Sequence, residues 1–295
     1  MDTEKCKVLL DILSSGSISA SARRLGYTVG GVSRMMAALE AETGFPLLIR
    51  GRNGIKPTKE CSALIPVMRE LTGAADKYRQ MCAEMQGFAT GSVTIGVCYD
   101  AYYGWLAGLI GDFTKKYPAI QINTVYDIAS TKMLSQLNDN SVDICLISRR
   151  DGVKNWLSIH SDELMAVIPA ENALAKYDRL PPAALENVPF VEISPGSDTD
   201  NSRMLAKYGI HPDVRFTCSS INATFAMVSA GLGITLSNAL FAQSAPENLH
   251  FIPLDPPQYI DVGIAMHDEN EMSPAVKRFV KYLRQHINSA EAGNI

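Results

Sequence analysis

Between residues 14 and 46 of this 295-residue chain, helix-starting and helix-stopping signals stand so close together that only short helices joined by tight turns can form. Residues 7–13 place Val8, Leu9, Ile12 and Leu13 at helical spacing before the break Ser14-Ser15-Gly16-Ser17. Ser17 is a good N-cap for a second helix over 18–25, which Gly26 stops; Thr28 can cap a third running to about 43, where Gly44 stops it and Pro46 follows. Two short helices across a Gly-bearing turn make a helix-turn-helix. The run Arg50-Gly51-Arg52-Asn53-Gly54-Ile55-Lys56 then predicts a basic two-stranded wing, with Asn53-Gly54 as the pair favoured in a type I′ hairpin turn.

Charge is uneven. Residues 1–60 carry nine Lys/Arg against six Asp/Glu, residues 61–90 carry three of each, and with a total of −4 the remainder sums to −7. A basic head on an acidic body suggests that the head alone meets a polyanion.

Thr58 can cap a long helix in which Leu64, Met68, Leu71, Ala75, Tyr78, Cys82 and Met85 alternate steps of four and three. That spacing is a helix-pairing seam, so self-association is expected, although one helix packed on its own domain's core would give the same pattern. Pro66 should kink this helix near its first turns. From Ser92 the texture becomes alternating strands and helices. Strands are expected over 93–97, 120–126, 142–147, 164–168, 190–193, 214–217, 234–236 and 260–266, and helices over 103–117, 131–138, 199–208, 223–230 and 273–287. The alternation argues for a parallel sheet in an α/β body large enough for two lobes with a cleft between them.

Several function classes lose support. The six cysteines (Cys6, Cys61, Cys82, Cys98, Cys145, Cys218) show no C-x-x-C and no neighbouring His at metal spacing, so no metal site or disulfide scaffold is expected. The nucleophile-elbow, phosphate-loop, zinc-protease and dinucleotide motifs are absent, so no catalytic residues, no enzyme activity and no cofactor are expected. No apolar run is long enough to span a membrane and the N-terminus lacks a secretory layout, which together predict a cytoplasmic protein.

The run Ser15-Gly16-Ser17-Ile18-Ser19-Ala20-Ser21-Ala22-Arg23-Arg24-Leu25, then Val32-Ser33-Arg34, Leu39-Glu40, Gly44-Phe45-Pro46-Leu47-Leu48, Arg50 and Thr58, resembles the N-terminal signature of LysR-type transcriptional regulators. The resemblance spans the whole chain; in the body its best pieces are residues 134–147 and Ala230-Gly231-Leu232-Gly233-Ile234. It implies a winged helix-turn-helix over 1–58, a linker or dimerisation helix over 59–89, and a two-lobed type II periplasmic-binding-protein-like effector domain. The lobes would be 91–161 with 267–295, and 162–266. Implied partners are double-stranded DNA, a small-molecule effector and a second copy in a homodimer, with homotetramers usual in the family. A solute-binding protein or a cleft enzyme would share the body but not the basic head.

In similar regulators the start of the recognition helix and the wing meet DNA, which here carries over to Thr28, Val29, Gly30, Gly31, Ser33, Arg34, Arg50 and Arg52. Thr28 is an N-cap whatever else it does, Ser33 and Arg34 could be plain helix surface, and of Arg23 and Arg24 one should be solvated and one structural. The chain departs from the family at 29–31, where a Gln followed by Pro or Ser is common. Val29 offers only methyl contact to a base. Gly30 and Gly31 can admit a phosphate close to the backbone, leaving Arg34 and the wing to carry more of the specificity. For the effector, the resemblance points to Cys98, Tyr99, Asp100 and Tyr102 after the first strand, to Ser130 and Thr131 at a helix start, to Ser148 and Arg149 after the third strand, and to Ser194, Gly196 and Ser197 in a later loop. Asp100 beside three tyrosines argues for a ligand of hydroxyl, amine or aromatic character rather than a bare carboxylate; Asp100 could equally cap the following helix.

Overall fold

The structure is a computed structural model that describes residues 2–51 and 54–287. The chain divides into two compact units, residues 1–91 with 138–141, and the remainder.

The head unit starts with α1 (Thr3–Ser15), α2 (Ile18–Leu25) and α3 (Val29–Thr43). Each begins on a side chain that accepts an orphan amide: Asp2 from Glu4 N, Ser17 from Ala20 N and Thr28 from Gly31 N. Each ends at a left-handed glycine, Gly16, Gly26 or Gly44, where a Cβ would be strained. Their inward faces close over one core that includes Val8, Leu9, Ile12, Val32, Met36, Leu39 and Leu47.

The wing is β1 (Leu48–Gly51) paired antiparallel with β2 (Gly54–Pro57). Its register pairs Gly51 with Gly54, so Gly54 closes the ladder instead of sitting at the centre of the expected Asn53-Gly54 turn. Arg52 and Asn53 lie outside the described residues. Gly54 has φ +94° and a Cβ there would come within 3.1 Å of the Gly16 carbonyl, which also accepts the Ile55 amide. The wing is thus docked on the turn between α1 and α2.

The helix α4 (Lys59–Met85) is capped by Thr58, which accepts from Cys61 N, and it continues across Pro66. The expected seam divides in two. Leu64, Met68 and Leu71 pack against the head core, as the alternative of a helix on its own core required, while Tyr78 is 70%, Met85 82% and the following Phe88 62% exposed.

In the body, the expected parallel sheet is instead mixed. Six strands are ordered β4 (Ile120–Tyr126), β3 (Gly91–Val97), β5 (Ile144–Ser148), β10 (Leu249–Met266), β6 (Asn155–Pro169) and β9 (Thr235–Asn238). The pair β3–β5 is parallel, but β5–β10, β10–β6 and β6–β9 are antiparallel. The pattern of apolar residues located the buried pieces of β6 and β10 but not their full lengths, because both strands run on through residues that alternate with solvent. A separate parallel pair, β7 (Pro189–Ile193) with β8 (Asp213–Cys218), completes the strands among the described residues.

Five helices cover these sheets: α5 (Tyr103–Lys116), α6 (Ser130–Asn138), α7 (Asp200–Tyr208), α8 (Ile221–Ser229) and α9 (Pro274–His286). Two aromatic clusters stand out in the body. Phe113 meets Phe279 edge-on at 4.9 Å between α5 and α9, and Phe225 of α8 meets Phe251 at 5.7 Å and Phe241 at 6.5 Å. The long pair β6–β10 has register shifts at Pro253/Gln258 and Val262/Gly263, and Val262–Met266 of β10 also pairs with β5.

Candidate functional site

At the amino end of α3, Thr28, Val29 and Gly30 are exposed, Gly31 and Ser33 are half-buried, and Arg34 is exposed one turn on. Thr28 accepts the Gly31 amide at 3.0 Å, which leaves other first-turn N–H groups directed out of the helix, where a phosphate can meet them. Glu40 ties this helix to the wing: one of its carboxylate oxygens accepts from Leu47 N at 2.7 Å and Leu48 N at 3.2 Å. Thr58 adds a hydroxyl donated to the Pro46 carbonyl at 2.9 Å. Arg50 stands exposed on β1 opposite Ile55. Arg24 pairs with Asp11, and both Arg23 and Arg24 are exposed. The result is an open helix end and a wing with two exposed basic side chains among the described residues, Arg50 and Lys56, held in fixed relation by the Glu40 brace.

In the body, the segments 98–102, 126–131, 148–150, 193–201 and 236–241 converge. They enclose an inner cavity of about 60 Å³ lined by Tyr99, Asp100, Arg150, Asp200 and Ser237 among others. A wider recess of about 660 Å³, with Tyr126 and Ile128 in common with the cavity, is lined by Asp127, Lys132, Ser194, Gly196, Ser197 and Asp198.

The centre of this site is an ion pair that the sequence reading missed. Arg150, only 7% exposed, donates from Nη1 to Asp200 Oδ1 at 2.9 Å and from Nη2 to the Asp198 carbonyl at 3.4 Å. Tyr99 donates its hydroxyl to the other oxygen of Asp200. Burial, and then the Asp200 charge, hold the Tyr99 phenol well above its ordinary pKa, so it stays a donor. Arg149, the residue named from the sequence, is exposed and lies over the Trp156 ring at 6.0 Å. No sequence signal separates the two arginines: β5 is buried at all five of its positions and both arginines follow its end, so Arg150 is held inward by Asp200 and Asp198 from a distant segment.

The other expected effector residues divide. Ser130 and Ser148, both buried, share a hydrogen bond at 3.1 Å beneath the cavity, and neither needs a ligand for it. Ser130 also bonds the Cys98 thiol, which burial pushes up to about 12. Thr131 is exposed and lines only the outer recess. The turn before α6 is held by Asp127, whose carboxylate accepts from Ala129 N at 3.0 Å. Tyr102 faces away from the cavity lining; its buried hydroxyl has no hydrogen bond, and burial and then Asp162 raise its pKa. Asp100 opens a short 3-10 turn ahead of α5, no side-chain bond caps that turn or α5, and the residue lines the cavity. Ser194 takes a left-handed φ of +52°, and the Ser197 amide closes onto its carbonyl at 3.1 Å, so Ser194, Gly196 and Ser197 form a tight turn over the recess.

Comparison with known proteins agrees with this geometry. The model of the LysR substrate binding domain matches residues 86–288, and that of the bacterial regulatory helix-turn-helix proteins of the lysR family matches residues 3–62. The uncharacterized HTH-type transcriptional regulator YvbU of Bacillus subtilis is 25% identical over 290 residues, covering 97% of this chain and 98% of its own. Among solved structures, a full-length OxyR from Pseudomonas aeruginosa, carrying aspartate in place of one cysteine, superposes with TM-score 0.72 at 16% identity over 97% of each chain. Full-length CbnR complexed with its target DNA gives 0.64 at 18% identity over 97% of this chain and 99% of that one. A basic winged helix-turn-helix, a capped linker helix and a cleft-bearing α/β body, matched by both models, place this chain in the LysR family of bacterial transcriptional regulators.

Proposed function

We propose that this regulator reads duplex DNA with the amino end of α3 and the wing, and that a small molecule held between two body lobes sets how it does so. The DNA contacts would be Thr28, Val29, Gly30, Gly31, Ser33, Arg34, Arg50 and Arg52. The observation that carries the reading is the exposed, glycine-opened end of α3 fixed to a basic wing by Glu40. The lobes would be 91–161 with 267–295, and 162–266, hinged on the β6–β10 pair. Tyr99 and Arg150 of the first would grip Asp200 of the second in the closed form. A ligand then shifts the DNA-bound population by its difference in affinity for open and closed bodies. The exposed end of α4, with Tyr78, Met81, Met85 and Phe88, supports pairing with a second copy, and dimers of such dimers would give a tetramer. The body acts as a sensor rather than an enzyme, and no described helix is long and apolar enough to cross a membrane.

The test is binding to the DNA upstream of its own gene, followed by fluorescence anisotropy over a salt series. Affinity should fall linearly on a log–log plot with a slope of about −0.9 per phosphate neutralised. Failure to bind any duplex at low ionic strength would remove the reading.

A further inference from the structure

Resting on the assignment of the cleft as the effector site, we propose that it takes a small zwitterion, a molecule with a protonated amine at one end and a carboxylate at the other, of the amino-acid class. Cavity and recess together are lined by two cations, Arg150 and Lys132, and four carboxylates, Asp100, Asp127, Asp198 and Asp200. Both cations are already answered, Lys132 by Asp127 and Arg150 by Asp200, with Asp198 Oδ2 a further 3.9 Å from Arg150 Nε. Asp198 is answered as well by Arg203, whose Nε stands 3.8 Å from its Oδ1, so a bare carboxylate or dicarboxylate would meet no uncommitted cation and one unpaired carboxylate, Asp100. Asp100, in contrast, has no ion pair among the described residues, and Tyr126 lines the same cavity with a π-face that favours a cation.

The acceptor end of the ligand is called for by two other groups. Arg150 and Ser237 line the inner cavity, and their Nε and Oγ atoms are buried with no hydrogen bond. A buried guanidinium N–H can be satisfied only by an acceptor, and a serine hydroxyl can donate to the same oxygen. A wholly cationic ligand would satisfy Asp100 and leave these donors unanswered; an anion would do the reverse. A zwitterion meets both with no net charge to desolvate. The inner space of about 60 Å³ suits a compact polar head, and the outer recess of about 660 Å³ leaves room for a variable side chain.

The experiment uses the full chain and matched sets on one carbon skeleton: each of the common amino acids, its deaminated carboxylate and its decarboxylated amine, for example leucine, 4-methylpentanoate and isoamylamine. Binding is followed by calorimetry and by thermal shift. At least one amino acid should bind about ten-fold or more tighter than both of its counterparts, and Asp100→Asn and Ser237→Ala should each weaken it by about ten-fold. The two variants are independent, so a folding defect in one leaves the other to decide. A carboxylate that binds as tightly as its amino acid, or the absence of binding by every amino acid, overturns the proposal. If a carboxylate binds and Ser237→Ala weakens it, the cleft assignment survives and only the ligand class falls. Binding indifferent to both substitutions removes the cleft assignment itself.

Discussion

Gly30 and Gly31 are neighbours in sequence and differ sharply in what a side chain would meet. A Cβ at Gly30 has nothing within 4 Å, whereas one at Gly31 comes within 3.0 Å of the Thr28 hydroxyl that caps the helix. Gly30→Ala should therefore stabilise the head by about 0.5–1 kcal/mol through helix propensity, read as a raised denaturation midpoint. If DNA approaches the backbone there, the same variant should bind its operator more weakly, so the two readouts move in opposite directions. Gly31→Leu is the poorer probe, since it disturbs the cap as well as the DNA face. Thiol chemistry offers a second residue-level test. Burial pushes Cys98 up to about 12 and Cys61 up to about 11, so at pH 8 each is almost wholly protonated. Under native conditions at that pH iodoacetamide should label half-buried Cys82 and Cys218 first and spare Cys61 and Cys98, as mass spectrometry of the digest would reveal.

Elements whose cause is local were legible in the sequence. Ser17, Thr28 and Thr58 all cap the helices expected of them, because a cap needs only a hydroxyl and an amide two or three residues on. The seam on α4 was legible as periodicity but not as a destination, since the same steps of four and three serve a head core and a partner helix alike. The two halves can be separated by substitution. Met68→Ala, at a buried site, should cost the head about 2–4 kcal/mol without changing its mass in solution. Tyr78→Glu with Met85→Glu should leave the melting curve of dilute protein nearly intact and shift sedimentation toward the monomer; an unchanged sedimentation coefficient would place the pairing surface elsewhere.

For the molecule as a whole, the ion pair between Arg150 and Asp200 joins groups 50 residues apart and Tyr99 reaches Asp200 across 101. Asp200→Asn removes the charge that answers a buried guanidinium, and should cost about 3 kcal/mol of body stability in chemical denaturation. On the proposed closure, it should also uncouple ligand addition from DNA affinity, because Tyr99 and Arg150 lose the carboxylate they hold. An unaltered midpoint together with intact coupling would show that the pair does neither. The amino-acid order by itself determined the head: its caps, stops and apolar spacing act over a few residues, and so the helix-turn-helix and the exposed amino end of α3 follow from local rules. Only the tertiary structure decided which arginine faces inward, that the sheet is mixed, and that Asp200 meets Tyr99 and Arg150, since strand order and long-range contact depend on how distant segments pack and not on the chemistry of either segment alone.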